Sequence, residues 1–207
     1  TYINGSVNIG GQSSILVNCP NGSENWQVGT SQDISWTSSG VTNVKIEYTT
    51  NNGSTWSTVV GSTPASSGTY SWTIPNTPST QCKVRISDVA NSSLFDVSDN
   101  VFTISPAPTI TVTSPNGGEN WQVGMAHYIT WTSSGVTNVK IEYTTNNGST
   151  WSTVVGSTPA SSGTYSWTIP NTPSTQCKVR ISDAPNSSVF DESNNVFTLS
   201  TSPSITV

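Results

Sequence analysis

A near-copy of one long segment is the feature that most constrains the fold of this chain. When residues 17–105 are laid over residues 112–200, a shift of 95 positions, 75 of the 89 aligned residues are identical and no gap is needed. The match between residues 36–88 and their equivalents is unbroken. A period of this length exceeds that of short solenoid repeats and is typical of whole domains in series. The 207-residue chain therefore holds two small domains.

Apolar and polar residues alternate along most of each repeat, as in Val44, Ile46 and Tyr48. This period of two is typical of strands that bury one face, and turn sequences such as Asn-Asn-Gly separate the runs. We predict seven strands in the first repeat, near residues 14–19, 32–37, 43–50, 56–61, 69–74, 81–87 and 100–105. The fold class is therefore expected to be all-β, with two tandem seven-stranded β-sandwiches of the immunoglobulin or fibronectin III type.

The repeat boundaries define five segments. The predicted sandwiches occupy residues 14–105 and 109–200, and residues 106–108 form a Pro-rich linker that favours extended backbone. Residues 1–13 form an N-terminal extension that could act as a donor strand, and residues 201–207 resemble the first strand of a further repeat. Either the chain is a piece of a longer array, or these ends join subunits head to tail by strand addition. The apolar residues available for such pairing are Tyr2, Ile3, Val7, Ile9, Ile205 and Val207.

Charged residues make up only 8% of the chain, and the net charge is −5. The six basic residues sit at equivalent places in the two repeats: Lys45, Lys83, Arg85, Lys140, Lys178 and Arg180. Nucleic acid is not an expected partner, because phosphate binding needs a larger positive field. Insertion into a membrane is not expected either, since no stretch approaches the roughly 20 apolar residues of a span.

Several motifs recur in order in both repeats, either unchanged or with one or two substitutions, including PNGGENWQVG, ITWTSSGVTNVKIEYTTNNGSTW, YSWTIPNTPSTQCKVRISD and DNVFTI. With them the chain resembles secreted immunoglobulin-like modules repeated in series on bacterial exported proteins and, more distantly, the Ser/Thr-rich GPI-anchored domain family of fungal cell walls. The resemblance implies a non-catalytic part of a surface protein, adhesin or polysaccharide-degrading enzyme. It also implies an extracellular or cell-surface location.

A second resemblance lies within the repeat, at Thr49, Asn51, Gly53, Thr55 and Trp56. These residues are similar to the Asp-box of sialidases and propeller proteins, with Asn where Asp is usual. The resemblance implies a hairpin closed by side-chain hydrogen bonds, with the tryptophan packed beneath. Sialidase activity is not expected, because a structural motif does not carry function and each repeat has only one arginine.

Neither enzymatic activity nor a cofactor is expected. The single histidine, His127, aligns with Gln32, and no Ser-His-Asp set, phosphate loop or nucleophile elbow occurs. Asp88, Asp96 and Asp99 form a weak calcium candidate, since carboxylates near one loop can bind that ion. Asp99 becomes asparagine in the second repeat, so solvated turn residues are the favoured interpretation.

The eight tryptophans are the remaining functional candidates, because aromatic rings stack on sugars and anchor interfaces. Trp36 and Trp72 lie in phase with apolar neighbours and are expected in the core. Trp56 is interpreted as the hairpin anchor, whereas Trp26 could be a sugar platform or a contact with the adjacent domain. The candidate glycan or interface aromatics are Trp26, Trp56, Trp121 and Trp151.

Two further pairings follow from strand phase. Cys19 and Cys82 could form a disulfide, with buried thiols as the alternative and Cys177 left unpaired. Lys45 and Glu47 should pair with Lys83 and Arg85 across neighbouring strands, and a small anion or uronate site is the alternative there.

Six Asn-x-Ser sequons are candidate N-glycosylation sites: Asn4, Asn21, Asn52, Asn91, Asn147 and Asn186.

The preferred hypothesis is a non-catalytic extracellular structural or adhesive protein that acts as a rigid stalk, spacer or head-to-tail filament subunit. Its expected partners are copies of itself or neighbouring repeats. The alternative hypothesis is a carbohydrate-binding accessory region of a secreted polysaccharide-active enzyme.

Overall fold

The computed structural model describes residues 12–201, and the chain divides into two compact units between Ala107 and Pro108. The strands of the first repeat are β1 (Ser14–Cys19), β2 (Asn25–Gln27), β3 (Ser31–Ser39), β4 (Asn43–Thr49), β5 (Ser57–Pro64), β6 (Thr69–Thr73), β7 (Ser79–Asp88), β8 (Phe95–Val97) and β9 (Phe102–Ser105). Those of the second are β10 (Thr109–Ser114), β11 (Asn120–Gln122), β12 (Ala126–Ser134), β13 (Asn138–Thr144), β14 (Ser152–Pro159), β15 (Thr164–Thr168), β16 (Ser174–Asp183), β17 (Phe190–Glu192) and β18 (Phe197–Ser200).

Each repeat is an immunoglobulin-like β-sandwich of two sheets, which confirms the predicted fold class. The smaller sheet has the order β1-β3-β6, and the larger has the order β2-β9-β7-β4-β5, with β8 paired to β7. The second repeat has the same two sheets from the equivalent strands. The prediction of seven strands per repeat was wrong by two, because β2 and β8 are only three residues long and too short to show a period.

The space between the two sheets is filled by alternate apolar residues of the long strands. Ile34 and Trp36 point inward from β3, and Val44 and Ile46 do so from β4. The indole Nε1 of Trp36 donates a hydrogen bond to the carbonyl oxygen of Ala65 at 3.0 Å, so this buried polar group is satisfied. The second repeat buries an equivalent, separate cluster, and each unit therefore has its own core.

Across the described part of the chain, no helix has the length and apolar character needed to cross a membrane.

Several predicted pairing residues lie outside the described residues. They are Tyr2, Ile3, Val7, Ile9, Ile205 and Val207, together with the sequon at Asn4.

Candidate functional site

All six basic residues of the chain lie on the outer faces of the two larger sheets. In the first repeat, Lys45 comes from β4, and Lys83 and Arg85 come from β7, alternating with core residues. The register places Arg85 opposite Glu47, and Lys45 opposite Ser87. We call this outer surface of each repeat its basic face. It is defined by Lys45, Lys83 and Arg85 in the first repeat, and by Lys140, Lys178 and Arg180 in the second.

One carboxylate lies at the centre of the basic face. Lys45 Nζ donates a hydrogen bond to Glu47 Oε1 at 2.7 Å, and Arg85 donates from Nε and Nη2 to Glu47 Oε2 at 3.0 and 2.7 Å. The predicted cross-strand ion pair is thus formed, but Glu47 is only 7% exposed instead of lying on a wet face. Burial by itself would raise the pKa of Glu47, but the hydrogen bonds and charges of Lys45 and Arg85 bring this pKa below its ordinary value.

Arg85 is held from its other side by an aromatic ring. Its guanidinium carbon lies 4.5 Å from the centroid of the Trp56 ring, a cation–π geometry. In the second repeat, Arg180 stands in the same way over Trp151 at 4.4 Å. The guanidinium is therefore fixed between a carboxylate and an indole, and one face of the tryptophan ring is occupied within the protein.

The hairpin that carries Trp56 is closed by side-chain hydrogen bonds, as its sequence resemblance implied. Thr49 Oγ1 accepts hydrogen bonds from the amides of Asn51 and Gly53, at 3.2 and 3.1 Å. Asn51 Oδ1 accepts one from the amide of Thr55 at 2.9 Å. Gly53 has a φ of 92°, a conformation that favours glycine. This network fixes the position from which the Trp56 ring reaches Arg85.

A shallow groove of about 300 Å³ opens on the basic face of the first repeat. Its lining is polar at the floor and aromatic at one wall, and consists of Lys45, Glu47, Arg85, Ser87, Ser92 and Phe95. Phe95, from β8, lies opposite Ser87 and is half exposed. An equivalent groove of about 250 Å³ in the second repeat is lined by Lys140, Glu142, Arg180, Ser182, Ser187 and Phe190. Sequence reasoning missed Phe95, because it did not detect β8.

The structure contradicts a surface role for Trp26 and Trp121. Trp26 is only 6% exposed and packs against Trp72 and Phe102, with ring centroids 6.2 and 5.1 Å apart. It belongs to β2, whose parallel pairing with β9 turns the indole into the core. Trp121 is buried in the same way. Neither ring can serve as a sugar platform or domain contact in this conformation.

The predicted disulfide between Cys19 and Cys82 was wrong, since all three cysteines are free thiols. The register of β1 against β3 shifts between Val17 and Cys19, a bulge that takes Cys19 out of phase with Val17. Its Sγ faces Glu24 at 3.9 Å. Cys82 is fully buried, and its Sγ donates to the carbonyl oxygen of Ser79. Burial raises the pKa of each thiol.

The calcium candidate is not brought together either. Asp96 Oδ2 accepts a hydrogen bond from the amide of Val17 at 2.8 Å, and Asp99 Oδ2 accepts one from Asn21 Nδ2 at 3.0 Å. Asp88 Oδ1 instead accepts one from the amide of Ala90. Within residues 12–201, no group of three or more His, Cys, Asp and Glu residues could hold a metal ion. These carboxylates therefore tie strands and turns together.

The described sequons differ in accessibility. The side-chain amide of Asn21 is engaged with Asp99 through both its oxygen and its nitrogen. The asparagines of the other described sequons are exposed, and they are Asn52, Asn91, Asn147 and Asn186. Glycosylation at these positions stays a prediction.

No family model matches the sequence, and no curated protein matches it.

The chain is similar to several solved structures. The fibronectin(III)-like modules of CbhA from Clostridium thermocellum are 18% identical, with a TM-score of 0.35, over 90% of this chain and 94% of that one. The IG1 and IG2 domains of DIP-gamma are 9% identical, with a TM-score of 0.44, over 90% and 97% of the two chains. An I-band fragment of titin is 12% identical, with a TM-score of 0.45, over 92% and 67%.

Proposed function

We propose that the protein is a non-catalytic extracellular structural module, which acts as a stalk, spacer or head-to-tail filament subunit. The observation that carries this proposal is the parallel pairing of β2 with β9 in the first repeat, and of β11 with β18 in the second. β9 is the last strand of its repeat, whereas β2 follows β1, so a pull on the start of the repeat reaches β2 once β1 has separated from β3. The relative direction of β2 and β9 decides how a repeat responds to tension.

A pull between the two ends of a repeat loads the β2–β9 hydrogen bonds along the strand direction. The amide of Thr103 donates to the carbonyl oxygen of Glu24 at 2.8 Å, and the amide of Val28 donates to that of Ser105 at 3.0 Å. Because the two strands are parallel and are pulled in opposite directions, these bonds are sheared together instead of opening one at a time. This geometry is suited to a module under tension.

The connection between the repeats supports the same role. β9 ends at Ser105 and β10 begins at Thr109, so only three residues separate the two strands. Two of the three are Pro106 and Pro108, which favour extended backbone. A spacer also needs copies of one module, as the near-identity of the repeats provides.

The non-catalytic part of the proposal is supported by the occupation of the carboxylates. Glu24 Oε1 and Oε2 accept hydrogen bonds from the amides of Asn21 and Gly22. Glu47 is bound by Lys45 and Arg85, and Asp96 by the amide of Val17. Carboxylates used in this way connect strands and turns, which is the role expected of structural residues.

The same geometry reduces the number of tryptophans that could serve as sugar platforms. Trp26 and Trp121 are core residues, and one face of Trp56 and of Trp151 carries an arginine. A carbohydrate-binding accessory role therefore gains no support from these four rings.

Single-molecule stretching of the whole chain tests the structural role. We expect two unfolding events of similar force, each releasing about 300 Å of chain. Val28→Pro removes the amide that bonds to Ser105 and should weaken one event only. Ala90→Pro is the matched control, since the second repeat has Pro185 at this position. If the first repeat unfolded at the same force in Val28→Pro as in Ala90→Pro, shear loading of β2 and β9 would be contradicted.

Electron microscopy of the purified chain at high concentration separates the versions of the proposal. Continuous fibres are expected of a head-to-tail filament subunit. Isolated particles would overturn the filament version and leave the stalk or spacer.

A further inference from the structure

We propose that the groove on the basic face of each repeat binds the carboxylate-bearing sugar units of an acidic polysaccharide. This inference goes beyond the structural role proposed above, because it assigns a ligand to the protein surface. It rests on the distribution of charge, on unused hydrogen-bond donors and on an exposed aromatic ring beside them.

The charge distribution favours an anionic ligand. The chain has a net charge of −5, yet all of its lysines and arginines lie on the two basic faces. In the first repeat, Lys45, Lys83 and Arg85 share the outer face of the β4–β7 pair with the carboxylate of Glu47, whereas Asp88, at the end of β7, is in phase with the core residues. A local excess of positive charge on an acidic protein attracts carboxylates while the rest of the surface repels them.

The groove also contains N–H donors that are not used in hydrogen bonds to Glu47. A guanidinium carries five N–H donors, of which Arg85 uses two on Glu47, and an ammonium carries three, of which Lys45 uses one. Both side chains line the groove, with about a third of each exposed to solvent. Arginine can bind a planar carboxylate with two parallel hydrogen bonds. A uronate carboxylate is a ligand of this kind.

The wall of the groove suits the sugar ring that carries the carboxylate. Phe95 is 50% exposed and lies opposite Ser87 across the β7–β8 pair. Aromatic faces are electron-rich, and the C–H bonds on one side of a pyranose are weakly positive, so the two stack. Ser87 and Ser92 add hydroxyl groups to the same groove. The combination of an apolar platform with a few fixed polar groups is typical of small-ligand sites.

The donors are positioned before any ligand arrives. Arg85 is clamped by Glu47 and by the Trp56 ring, and so it loses little conformational freedom on binding. The groove residues and Trp56 are identical in the two repeats. By contrast, three outer positions of β3 differ in β12, where Ser31, Asp33 and Ser35 become Ala126, Tyr128 and Thr130. The residues that line the groove are thus unchanged, although other positions of both sheets differ between the repeats.

One substitution beside the groove gives an internal comparison. Val97 pairs with Arg85 in the register of β8 and β7, and the equivalent residue of the second repeat is Glu192, which pairs with Arg180. Glu192 adds a negative charge next to the arginine that would receive the carboxylate. The groove of the second repeat should therefore bind an acidic sugar more weakly than that of the first.

The experiment measures binding of the whole chain to polygalacturonate by isothermal titration calorimetry. Fully methyl-esterified polygalacturonate is the control, since it keeps the sugar backbone and lacks the charge. We expect saturable binding to the acid and none to the ester. Phe95→Ala with Phe190→Ala should weaken binding at least tenfold, the usual effect of removing an interface anchor. Lys45→Gln with Lys140→Gln should also weaken it, without removing the core of the fold.

Exchange of the charge beside the arginine is the sharpest test. Val97→Glu copies a residue that the second repeat already tolerates, and we expect it to lower the affinity of the first groove about threefold to tenfold. Glu192→Val should raise the affinity of the second groove to that of the first. The proposal would be overturned if the acid showed no saturable binding or if the ester bound equally well. It would also be overturned if the paired phenylalanine variant and the paired lysine variant both kept the wild-type affinity. Equal affinity for polyphosphate would also overturn it, because it would show a general attraction of polyanions.

Discussion

The guanidinium carbon of Arg85 lies 4.5 Å from the centroid of the Trp56 ring, and the same guanidinium donates two hydrogen bonds to Glu47. Trp56 follows the hairpin between β4 and β5, whereas Arg85 lies on β7. The contact therefore links the hairpin to a central strand of the sheet. The carboxylate that receives these hydrogen bonds is itself buried, since Glu47 is only 7% exposed.

Removal of the indole should destabilise the repeat that contains it. We expect Trp56→Ala to lower the free energy of unfolding of the first repeat by about 1–3 kcal/mol, since cation–π attraction and buried apolar surface are lost. Trp56→Phe keeps an aromatic face for Arg85 and should cost less. Urea unfolding is the measurement, with the unchanged second repeat as the internal reference. A midpoint for Trp56→Ala equal to that of the wild type would contradict the role of this contact.

Stability should depend on pH through Glu47 and its equivalent, Glu142. Their pKa values lie below the ordinary value of 4.5, because the hydrogen bonds and charges of the neighbouring Lys and Arg outweigh the effect of burial. A pKa lowered on folding contributes stability that is present above about pH 4.5 and is lost as the pH falls through the lowered pKa.

The paired variant Glu47→Gln with Glu142→Gln measures this contribution. It should be less stable than the wild type at pH 7, and the difference should shrink as the pH falls below 4.5. Asp33→Asn, which alters an exposed carboxylate on the smaller sheet, is the control for the loss of a carboxylate outside these ion pairs. A difference between wild type and the paired variant that stays constant from pH 7 to pH 3 would show that the carboxylates contribute no net stability.

The three thiols should differ in reactivity and in importance for the fold. Cys19 is half-buried, whereas Cys82 and Cys177 are fully buried. Alkylation followed by mass spectrometry should therefore modify Cys19 first. The rate should be low near neutral pH and rise with pH, because the thiolate is the reactive form and burial and Glu24 raise the pKa of this thiol. Cys19→Ser should leave stability nearly unchanged, as Ser114 occupies this place in the second repeat. Cys82→Ser should cost about 1–3 kcal/mol through burial of a hydroxyl. Detection of a Cys19–Cys82 cross-link in native protein would refute this expectation.

Asp96 should stabilise β1 without any metal ion. Its Oδ2 accepts the amide hydrogen of Val17 at 2.8 Å, and Asp96→Ala should lower the free energy of unfolding by about 1.5–3 kcal/mol, the contribution of a hydrogen bond to a charged group. Asp99→Asn is the matched control, since the second repeat has Asn194 there, and it should have little effect. Millimolar calcium should leave the melting temperature of both variants unchanged. A rise in the melting temperature of the wild type alone would restore the calcium hypothesis.

The number of domains and most of the strands could be predicted because their signal lies in neighbouring residues. The repeat of 95 positions and the alternation of residues such as Val44, Lys45 and Ile46 are visible without knowledge of any distant contact. The predicted pairing of Glu47 with Arg85 also followed from phase along two long strands. Each of these features depends on a local period that a strand must satisfy.

The direction of Trp26, the state of the thiols and the groove were decided by tertiary structure. Trp26 turns inward because a three-residue strand pairs in parallel with β9, and Cys19 leaves the core phase because β1 bulges against β3. Phe95, on β8, lines the same groove as Arg85 on the preceding strand β7 and as Lys45 on β4, which is distant in sequence. Register between distant strands sets which side chains share a face, and a change of one residue moves every side chain to the opposite face. That register is a property of the packed sheets, and so it cannot be read from the spacing of residues along the chain.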